Sequence, residues 1–413
     1  MEFIKKYDNG LRLVVKKMDG LMSVTMGIIV GSGAAMETDS QDGISHFIEH
    51  MQFKGTNKRN AFEISDAFDR IGAQVNAYTG KDATVYYTKS TSDHAATAFE
   101  VLADLFLNAT YPEEEMAREK GVICEEIAMN EDTPDDLALD LLASATYGNE
   151  YYGRNILGPA KNVKSFTIED VKAYKDAWYR PENIVISFAG AIDFETAQAL
   201  VENNFGALEG GKFKKPEKKI KFEYKKLKKQ KPIEQTHLAM NYRCIPRDHE
   251  LFDAMQAACG ILGGNMSSRL FQEVREKRGL AYSVYSYLST FEECGTLNIY
   301  AGVNPAKVNE AYDAIQSVVA DLKKNGVTES EFERSREQMK SSLLFANENT
   351  SSQMILYGKY LLQYDEMLDF EARMKRINQI KRADLIEAIS LTFNDEERAM
   401  AAIYGSGADF DLF

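Results

Sequence analysis

Alternating apolar and polar positions at the start of the chain are typical of a β-sheet. Residues 5–16 predict two strands joined by an Asp-Asn-Gly turn, and residues 22–30 predict a third strand. Residues 74–79 and 84–88 are rich in β-branched and aromatic side chains and flank a Gly-Lys-Asp turn, so they predict a hairpin. The helical spacing of apolar residues predicts helices elsewhere in this half, at 61–71, 95–107, 111–130, 167–179 and 194–204, with a strand at 184–189.

The pattern restarts near residue 234 and repeats the order of the first half. It predicts a strand at 236–242, a helix at 251–262, a second helix ending near 275, strands at 282–288 and 296–302, and helices at 305–323 and 329–348. A repeated order of elements indicates an internal duplication. We therefore predict an α+β fold with two similar domains, each a mostly antiparallel sheet covered by helices on one side.

Residues 211–233 separate the two halves and are crowded with lysine. Eleven lysines lie between Gly211 and Lys231. Such a segment is either an arm that binds nucleic acid or membrane, or a solvated linker. Aromatic residues are sparse in it and the whole chain carries a net charge of -14, so we favour the linker and predict no nucleic-acid partner. The predicted domains are then residues 1–210 and 234–413.

Composition indicates the number of hydrophobic cores and the cellular compartment of the protein. Its 413 residues, 44% of them hydrophobic, are enough for two buried cores. The four cysteines form no Cys-x-x-Cys pair, which is typical of free thiols in a reducing compartment. No uncharged run is long enough to cross a bilayer, and the first residues do not resemble a secretory signal. We therefore predict a cytoplasmic protein without a membrane partner.

A His-x-x-Glu-His motif carries the strongest chemical signal in the chain. In a helix, His46 and His50 project from one face, where two imidazoles can bind one divalent ion. Glu49 lies on the same side and can reach a water beside the ion without being a ligand. That is the arrangement that a hydrolytic zinc site needs.

The ends of this segment favour a helix. Asp42 or Ser40 can cap its start, and Gly55 stands where a helix usually terminates. The alternative is an ordinary amphipathic helix with two histidines on one face. With only five histidines in the chain, this arrangement seldom arises by chance.

Two acids on the predicted helix at 111–130 extend the candidate site. Glu119 and Glu126 are two turns apart and share a stripe with apolar residues. Carboxylates on such a stripe are costly unless a positive charge compensates them, and a metal ion would do so. Two alternatives stay open on the pattern alone: Glu126 is a surface acid of an acid-rich helix, or Glu125 is the ligand. Glu125 points about 100° away from the stripe, so we favour Glu126.

Taken together, these residues resemble the pitrilysin family of inverted-zincin metallopeptidases, in particular the short type similar to the mitochondrial processing peptidase and its bacterial relatives. The resemblance covers nearly the whole chain and includes the runs Phe53-Lys54-Gly55-Thr56 and Asn76-Ala77-Tyr78-Thr79. Between His50 and Glu126 lie 75 residues, the spacing at which the family carries its glutamate ligand. The family's upstream glutamate falls on Glu119. Gln52 departs from the apolar residue that is usual at its position.

The second half carries a further part of the resemblance, an Arg/Tyr pair with which the family binds substrate. Here the pair is Arg275 and Tyr282. The structural alternative is that Arg275 pairs with Glu273 or Glu276 and that Tyr282 is a core aromatic.

For the metal site, the resemblance implies one Zn2+ per chain, held by His46, His50 and Glu126. Glu49 would be the general base that takes a proton from water. Glu119 would steady His50 or the site without being a ligand.

For the substrate, the resemblance implies a zinc endopeptidase that cleaves peptides or unfolded polypeptides inside a clamshell of two chains, here a homodimer. The strand at Asn76 and Ala77 would pair with the substrate backbone. Arg275 would hold a substrate carbonyl, and Tyr282 would donate a hydrogen bond to the oxyanion.

Two functions of other classes compete with this one. The first is a catalytically silent scaffold or subunit of the same fold, against which the intact ligands and Glu49 argue. The second is a small-molecule metal lyase, because S-ribosylhomocysteine lyase shares the His-x-x-Glu-His motif on a related fold. Its chain is far shorter and lacks a second half with an Arg/Tyr pair, so we favour the peptidase.

Overall fold

The computed structural model describes residues 2–408 and 410–412, which form two compact units. The first unit takes the chain up to Ile127, then Asn155–Glu217 and Leu344–Asp369. The second unit takes Ala128–Arg154, Lys218–Leu343 and the chain from Phe370 onward. Each unit is therefore built from segments that are distant in sequence.

Both units are built from helices and strands. The α-helices of the described residues are α1 (Ile44–Met51), α2 (Ala61–Asp69), α3 (Ala95–Leu107), α4 (Glu113–Glu131), α5 (Pro134–Tyr147), α6 (Ala160–Ser165), α7 (Ile168–Trp178), α8 (Phe194–Phe205), α9 (Phe252–Gly263), α10 (Val308–Asn325), α11 (Glu329–Asn347), α12 (Thr350–Tyr364), α13 (Phe370–Gln379) and α14 (Arg382–Ser390). The strands are β1 (Glu2–Lys6), β2 (Arg12–Lys17), β3 (Ser23–Val30), β4 (Gln74–Thr79), β5 (Thr84–Thr91), β6 (Ile184–Gly190), β7 (Lys226–Gln230), β8 (Thr236–Cys244), β9 (Ala281–Thr290), β10 (Gly295–Val303) and β11 (Arg398–Tyr404).

In the described part of the chain, the sheet of the first unit has the strand order β1-β2-β6-β3-β5-β4. Strands β2 and β6 run parallel, and the other neighbours are antiparallel. Strand β4 lies at one edge of the sheet, where it pairs with β5. An edge strand presents backbone N–H and C=O groups that another extended chain can use.

The sheet of the second unit repeats this topology. Its order is β7-β11-β8-β10-β9, with β7 parallel to β11 and the other neighbours antiparallel. Strands β2 to β6 of the first sheet and β7 to β11 of the second can each be numbered one to five in chain order, leaving aside the edge strand β1. With that numbering, both sheets have the strand order 1-5-2-4-3. The mixed α/β architecture with two mostly antiparallel sheets is therefore as predicted, and the shared strand order supports duplication.

Helices lie on both faces of each sheet, which corrects the expectation that they cover one side. In the first unit, Met26 and Phe188 face the core that α1, α3 and α8 share. The neighbouring positions Ile29 and Val85 face the other way and pack with Met354 of α12. Strands β3 and β6 are buried along almost their whole length, so both of their faces need a covering layer.

Helices α5 and α12 cross the predicted domain boundaries. Helix α5 precedes residue 210 but packs on the second sheet, where Leu142 clusters with Ala239 and Ala401. Helix α12 follows residue 234 but packs on the first sheet. Strand β7 lies inside the predicted lysine-rich linker, 211–233, and forms part of a sheet. The predicted division does not follow the units, because apolar sheet faces recruit helices from distant parts of the chain.

The remaining predicted elements are present, with ends shifted by a few residues. Helices α5, α6, α12, α13 and α14 and strands β7 and β11 were not predicted. The helix expected to end near Arg275 is a short π-helix, Phe271–Glu276. Within the described residues, no helix combines the length and the apolar character needed to cross a membrane.

Candidate metal centre

The motif helix α1 begins at a glycine in a left-handed backbone conformation. Gly43 has a φ of 97° and occupies the N-cap position, so neither Asp42 nor Ser40 caps the helix as predicted. Instead, the backbone N–H groups of Gly43 and Ser45 donate to the Glu37 carboxylate at 2.7 and 2.8 Å. Glu37 thus satisfies N–H groups that have no partner inside the helix.

The other end of α1 is followed by a buried polar side chain. The helix ends at Met51, before the predicted end near Gly55. Gln52 comes next and is completely buried. Its side-chain amide and the hydroxyl of Tyr111 lie 3.1 Å apart and form a hydrogen bond. This bond compensates the burial of a polar residue where the family usually has an apolar one.

Three side chains from helices α1 and α4 converge on one point. Glu126 Oε2 lies 3.7 Å from His46 Nε2 and 3.6 Å from His50 Nε2. One donor atom from each residue lies within 4.8 Å of the other two. A tetrahedral zinc ion with bonds of about 2.1 Å needs ligand atoms roughly 3.4 Å apart. Two imidazole nitrogens and a carboxylate at these separations therefore fit a single small divalent ion.

Helix α4 presents Glu126, and not its neighbour Glu125, to the histidines. Glu125 is exposed, whereas Glu126 is partly buried against α1. The same helix carries Ile123, which is completely buried in the core of the first unit. The apolar contact of Ile123 therefore fixes the rotation of α4 that turns Glu126 inward.

The Nδ1 atom of His50, on the opposite side of the ring from Glu126, contacts Glu119, and Glu119 in turn contacts Lys54. Glu119 Oε2 lies 2.9 Å from His50 Nδ1. The second oxygen of Glu119 lies 2.6 Å from Lys54 Nζ. Because Glu119 is 5% exposed, its charge needs these partners. A proton on Nδ1 leaves the Nε2 lone pair free to face Glu126.

His46 is the more buried of the two histidines. Burial and, to a smaller extent, the neighbouring His50 lower its pKa from 6.5 to about 4. The imidazole is therefore neutral at pH 7, as a metal ligand must be. Its ring lies 4.6 Å from that of His50, centroid to centroid.

Glu49 lies beside these side chains and is oriented by a residue of the edge strand. The hydroxyl of Thr79 in β4 donates to Glu49 Oε2 at 2.5 Å. Burial raises the pKa of Glu49 above its ordinary value, while the Thr79 hydrogen bond and His50 oppose this effect. A partly buried carboxylate with a raised pKa is a stronger base than an exposed one, which suits proton transfer.

The predicted substrate strand is the edge strand that holds Thr79. Asn76 and Ala77 lie in β4 opposite Tyr87 and Tyr86 of β5. Asn76 is exposed, and its Oδ1 accepts a hydrogen bond from the Ala77 N–H at 2.8 Å. The strand therefore carries both residues at the edge of the sheet, and its last residue, Thr79, contacts Glu49.

The Arg/Tyr pair belongs to the second unit, and the two side chains touch each other. The Arg275 guanidinium carbon lies 5.4 Å from the centre of the Tyr282 ring. Arg275 Nε is also 3.8 Å from Glu276, as the structural alternative expected, whereas Glu273 pairs with Lys277. Tyr282 is 75% exposed, so the alternative that it is a core aromatic is wrong.

Three residues that hold the centre in place were not predicted in these roles: Glu37, Lys54 and Thr79. Lys54 and Thr79 lie within the two runs that carry the resemblance, and Lys54 follows His50 by four residues. That spacing was the available signal for Lys54. Glu37 lies in an irregular loop, where no periodic pattern indicates the partner of a side chain.

Two family descriptions match successive parts of the chain. Residues 13–160 match "Insulinase (Peptidase family M16)", and residues 165–339 match "Peptidase M16 inactive domain". The candidate metal ligands all lie in the first match, and Arg275 and Tyr282 lie in the second.

Relatives and solved structures match over almost the full length. A Bacillus subtilis protein named "Uncharacterized zinc protease YmxG" is 41% identical over 410 residues, covering 98% of this chain and 99% of its own. An "Uncharacterized zinc protease" of Rickettsia felis is 36% identical over 95% of both chains. The crystal structure of a protease from Helicobacter pylori has a TM-score of 0.91 at 22% identity, over 98% of this chain and 99% of its own. At that identity, the likeness in structure shows a shared fold.

Proposed function

We propose, since the chain belongs to the insulinase family of peptidases (M16), that it is a zinc-dependent endopeptidase acting on peptides or unfolded polypeptide segments. The names of its relatives support a zinc protease. The observation that carries the proposal is the convergence of His46, His50 and Glu126 beside Glu49. Two imidazoles, one carboxylate ligand and one additional carboxylate are the groups that metal-dependent hydrolysis requires.

One zinc ion per chain would be held by His46, His50 and Glu126. Bound there, zinc would lower the pKa of a water to about 7 and polarise a peptide carbonyl. Glu119 orients His50 through Nδ1, and so acts on the ligand without touching the ion.

Glu49 is the proposed general base. Thr79 occupies its Oε2, so Oε1 accepts the proton of the water as that water attacks the peptide carbonyl. The same oxygen then gives the proton to the leaving amine. Both transfers need a carboxylate of fixed orientation, which the Thr79 hydrogen bond provides.

The peptide substrate is proposed to bind as an added strand beside Asn76 and Ala77 of β4. Backbone pairing of this kind selects an extended chain and not a particular sequence. Arg275 and Tyr282 are proposed to contact the same substrate, with the Tyr282 hydroxyl donating to the oxyanion and Arg275 holding a neighbouring carbonyl. A homodimer then carries two complete sets of these residues.

Hydrolysis of a quenched, unstructured peptide tests the central proposal. The Glu49→Gln variant should keep zinc and its melting temperature but lose hydrolysis by several orders of magnitude, since an amide cannot accept the proton. Glu126→Gln should lose zinc affinity, and Glu125→Gln is its matched control with unchanged zinc and activity. A wild-type chain that binds zinc but cleaves no peptide would contradict the peptidase and favour the silent scaffold.

Mixing two impaired variants tests whether Tyr282 acts in its own subunit or in the facing subunit of a homodimer. Tyr282→Phe should lower turnover by roughly 10²–10³-fold, the loss expected for one oxyanion donor. When Glu49→Gln chains are mixed with Tyr282→Phe chains, activity returns if Tyr282 acts in the facing subunit, and stays absent if it acts within its own chain. Sedimentation at the mass of one chain would contradict the dimer itself.

A further inference from the structure

The loop before the motif helix holds a buried carboxylate that the proposed chemistry does not use. Glu37 is 5% exposed and directly follows a 3₁₀ turn, Ala34–Met36. Burial raises its pKa to about 7, against the effect of its backbone hydrogen bonds. A buried acid is costly to a fold, so its contacts are informative about its role.

Both oxygens of Glu37 are used by the first turn of α1. The Gly43 N–H donates to Oε2 at 2.7 Å and the Ser45 N–H donates to Oε1 at 2.8 Å. A negative charge at this end of a helix is also favoured by the helix dipole. Ser45 immediately precedes His46, so the carboxylate fixes the backbone from which the first candidate ligand projects.

The same loop is tied to the turn that follows the edge strand. The Ala34 N–H donates to the Gly80 carbonyl at 3.1 Å, and the Ala35 N–H donates to the Lys81 carbonyl at 2.9 Å. A Cβ atom on Gly33 would lie 2.2 Å from the Gly80 oxygen, so the two backbones are as close as they can be.

These contacts form a closed path between the metal helix and the substrate strand. Thr79, which holds Glu49, immediately precedes Gly80. The path therefore runs from the start of α1 through Glu37 and the 3₁₀ turn to Gly80, and returns to α1 through Thr79 and Glu49. Every step is a hydrogen bond or a short piece of chain, so the start of α1 is connected to the end of β4 on both sides.

We propose that Glu37 is a positioning residue that fixes α1 against β4, and thereby sets the geometry of Glu49 relative to the substrate backbone. The inference rests on the proposed function, because it concerns the group proposed as the general base. Loss of the two hydrogen bonds at Glu37 should slow the chemical step more than it weakens substrate binding.

Glu37→Gln in the full-length, zinc-loaded chain is the test. Glutamine keeps the shape but turns an N–H₂ group towards one of the two backbone N–H donors, so one bond becomes a donor–donor contact. We expect kcat to fall by about tenfold or more, KM to change by less than about twofold, and zinc content to stay at the wild-type value. In the metal-free chain, hydrogen exchange at residues 43–46 and 80–83 should become faster.

Asp193→Asn is the matched control. Asp193 caps α8 in the same unit, where its Oδ1 accepts the Thr196 N–H at 2.7 Å. The change is again acid to amide at a helix start, but it lies on a helix without proposed site residues. It should lower the melting temperature with kcat unchanged. A Glu37→Gln chain that resembles this control, with a lowered melting temperature and wild-type kcat, overturns the proposal.

Two further measurements keep the test decisive. If Glu37→Gln does not fold, Glu37→Asp retains both oxygens on a shorter side chain; lowered kcat at near-normal KM supports the proposal, and wild-type kcat overturns it.

If the wild-type chain hydrolyses no peptide, the proposed function fails separately. The exchange experiment then still decides whether Glu37 couples residues 43–46 to residues 80–83, and unchanged exchange at 80–83 overturns that coupling.

Discussion

His50 uses its two ring nitrogens for different purposes. Nδ1 lies next to Glu119, and Nε2 faces Glu126. Lys54 balances the other oxygen of Glu119. Lys54 thus acts on the candidate ligand His50 through Glu119.

Lys54→Met should weaken zinc binding without removing it. The variant keeps the length of the side chain but leaves the buried carboxylate of Glu119 with one partner fewer, so His50 is less firmly oriented. We expect a loss of about 10–100-fold in zinc affinity, measured by competition with a chelator. Lys58→Met is the control, because Lys58 is an exposed lysine that pairs with Glu100. Equal affinities for the two variants would contradict the role of Lys54.

At the scale of single residues, spacing in the sequence was enough to identify the His-x-x-Glu-His motif but not the residues that hold it in place. His46, Glu49 and His50 follow from helical geometry alone. Glu126 was preferred over Glu125 because Glu125 points away from the apolar stripe and because the family spacing selects Glu126; the buried contact of Ile123 in α4 turns Glu126 towards the histidines. Glu37 contacts α1 from a loop, and loops have no period from which a contact can be inferred.

At the scale of elements, helix α12 was missed although the sequence indicated the surface that it covers. Strands β3 and β6 read as continuous apolar runs, which indicates burial on both faces. That pattern does not say which part of the chain supplies the second layer. Strand β7 was hidden for a different reason: its alternating lysines face solvent and give it the composition of a linker.

Helix α12 fits its sheet so closely that a single methyl group tests the contact. A Cβ atom at Gly358 would lie 2.1 Å from Ile29 Cδ1 and 2.9 Å from Ser187 Cβ. Gly358→Ala should therefore lower the free energy of unfolding by about 1–3 kcal/mol, although alanine favours helices. Gly121→Ala in α4, where a Cβ meets nothing within 4 Å, should raise it by roughly 0.5–1 kcal/mol. Urea denaturation measures both, and effects of the same sign would contradict the packing.

Helix α11 is joined to the segment that carries Arg275 by an ion pair whose contribution depends on pH. Arg269 donates to both oxygens of Glu331, at 2.7 and 2.8 Å. Burial raises the pKa of Glu331, but the bonds from Arg269 and the Thr328 backbone outweigh it and lower the pKa from 4.5 to about 2.

Because the folded-state pKa of Glu331 is lowered, its contribution to stability is present above about pH 4.5 and is lost as the pH falls towards 2. The difference in unfolding free energy between wild type and Glu331→Gln should therefore be larger at pH 7 than at pH 3. Glu333→Gln, at an exposed position of the same helix, is the control and should show no such change. A difference for Glu331→Gln that is the same at both pH values would contradict the assignment.

At the scale of the whole molecule, neither half of the sequence contains a complete unit. The first sheet needs α12 from the second half, and the second sheet needs α5 from the first half. The repeated strand order could be predicted because each copy is local in sequence. The positions of helices α5 and α12 could not be predicted, because a local sequence pattern does not indicate which of two similar sheets a distant helix will cover.

A fragment of residues 1–217 should not fold alone. It lacks α12 and would expose the side chains that α12 covers, among them Val14, Ile29 and Val185. We expect it to aggregate or to bind a hydrophobic dye, and we expect a peptide of residues 344–369 to restore cooperative unfolding. A monomeric fragment that unfolds cooperatively without the peptide would show that α12 is dispensable.

The position of α12 in the chain also determines when the first unit can be completed during synthesis on the ribosome. Residues 218–343 must be synthesised after the last strand and helix of the first unit and before α12 emerges. At roughly 5–20 residues per second, this interval is on the order of ten seconds. During that time the apolar face between β2 and β5 has no cover, while the candidate metal ligands have already left the tunnel. Nascent chains of this architecture should therefore depend on chaperones until nearly nine-tenths of the polypeptide exists.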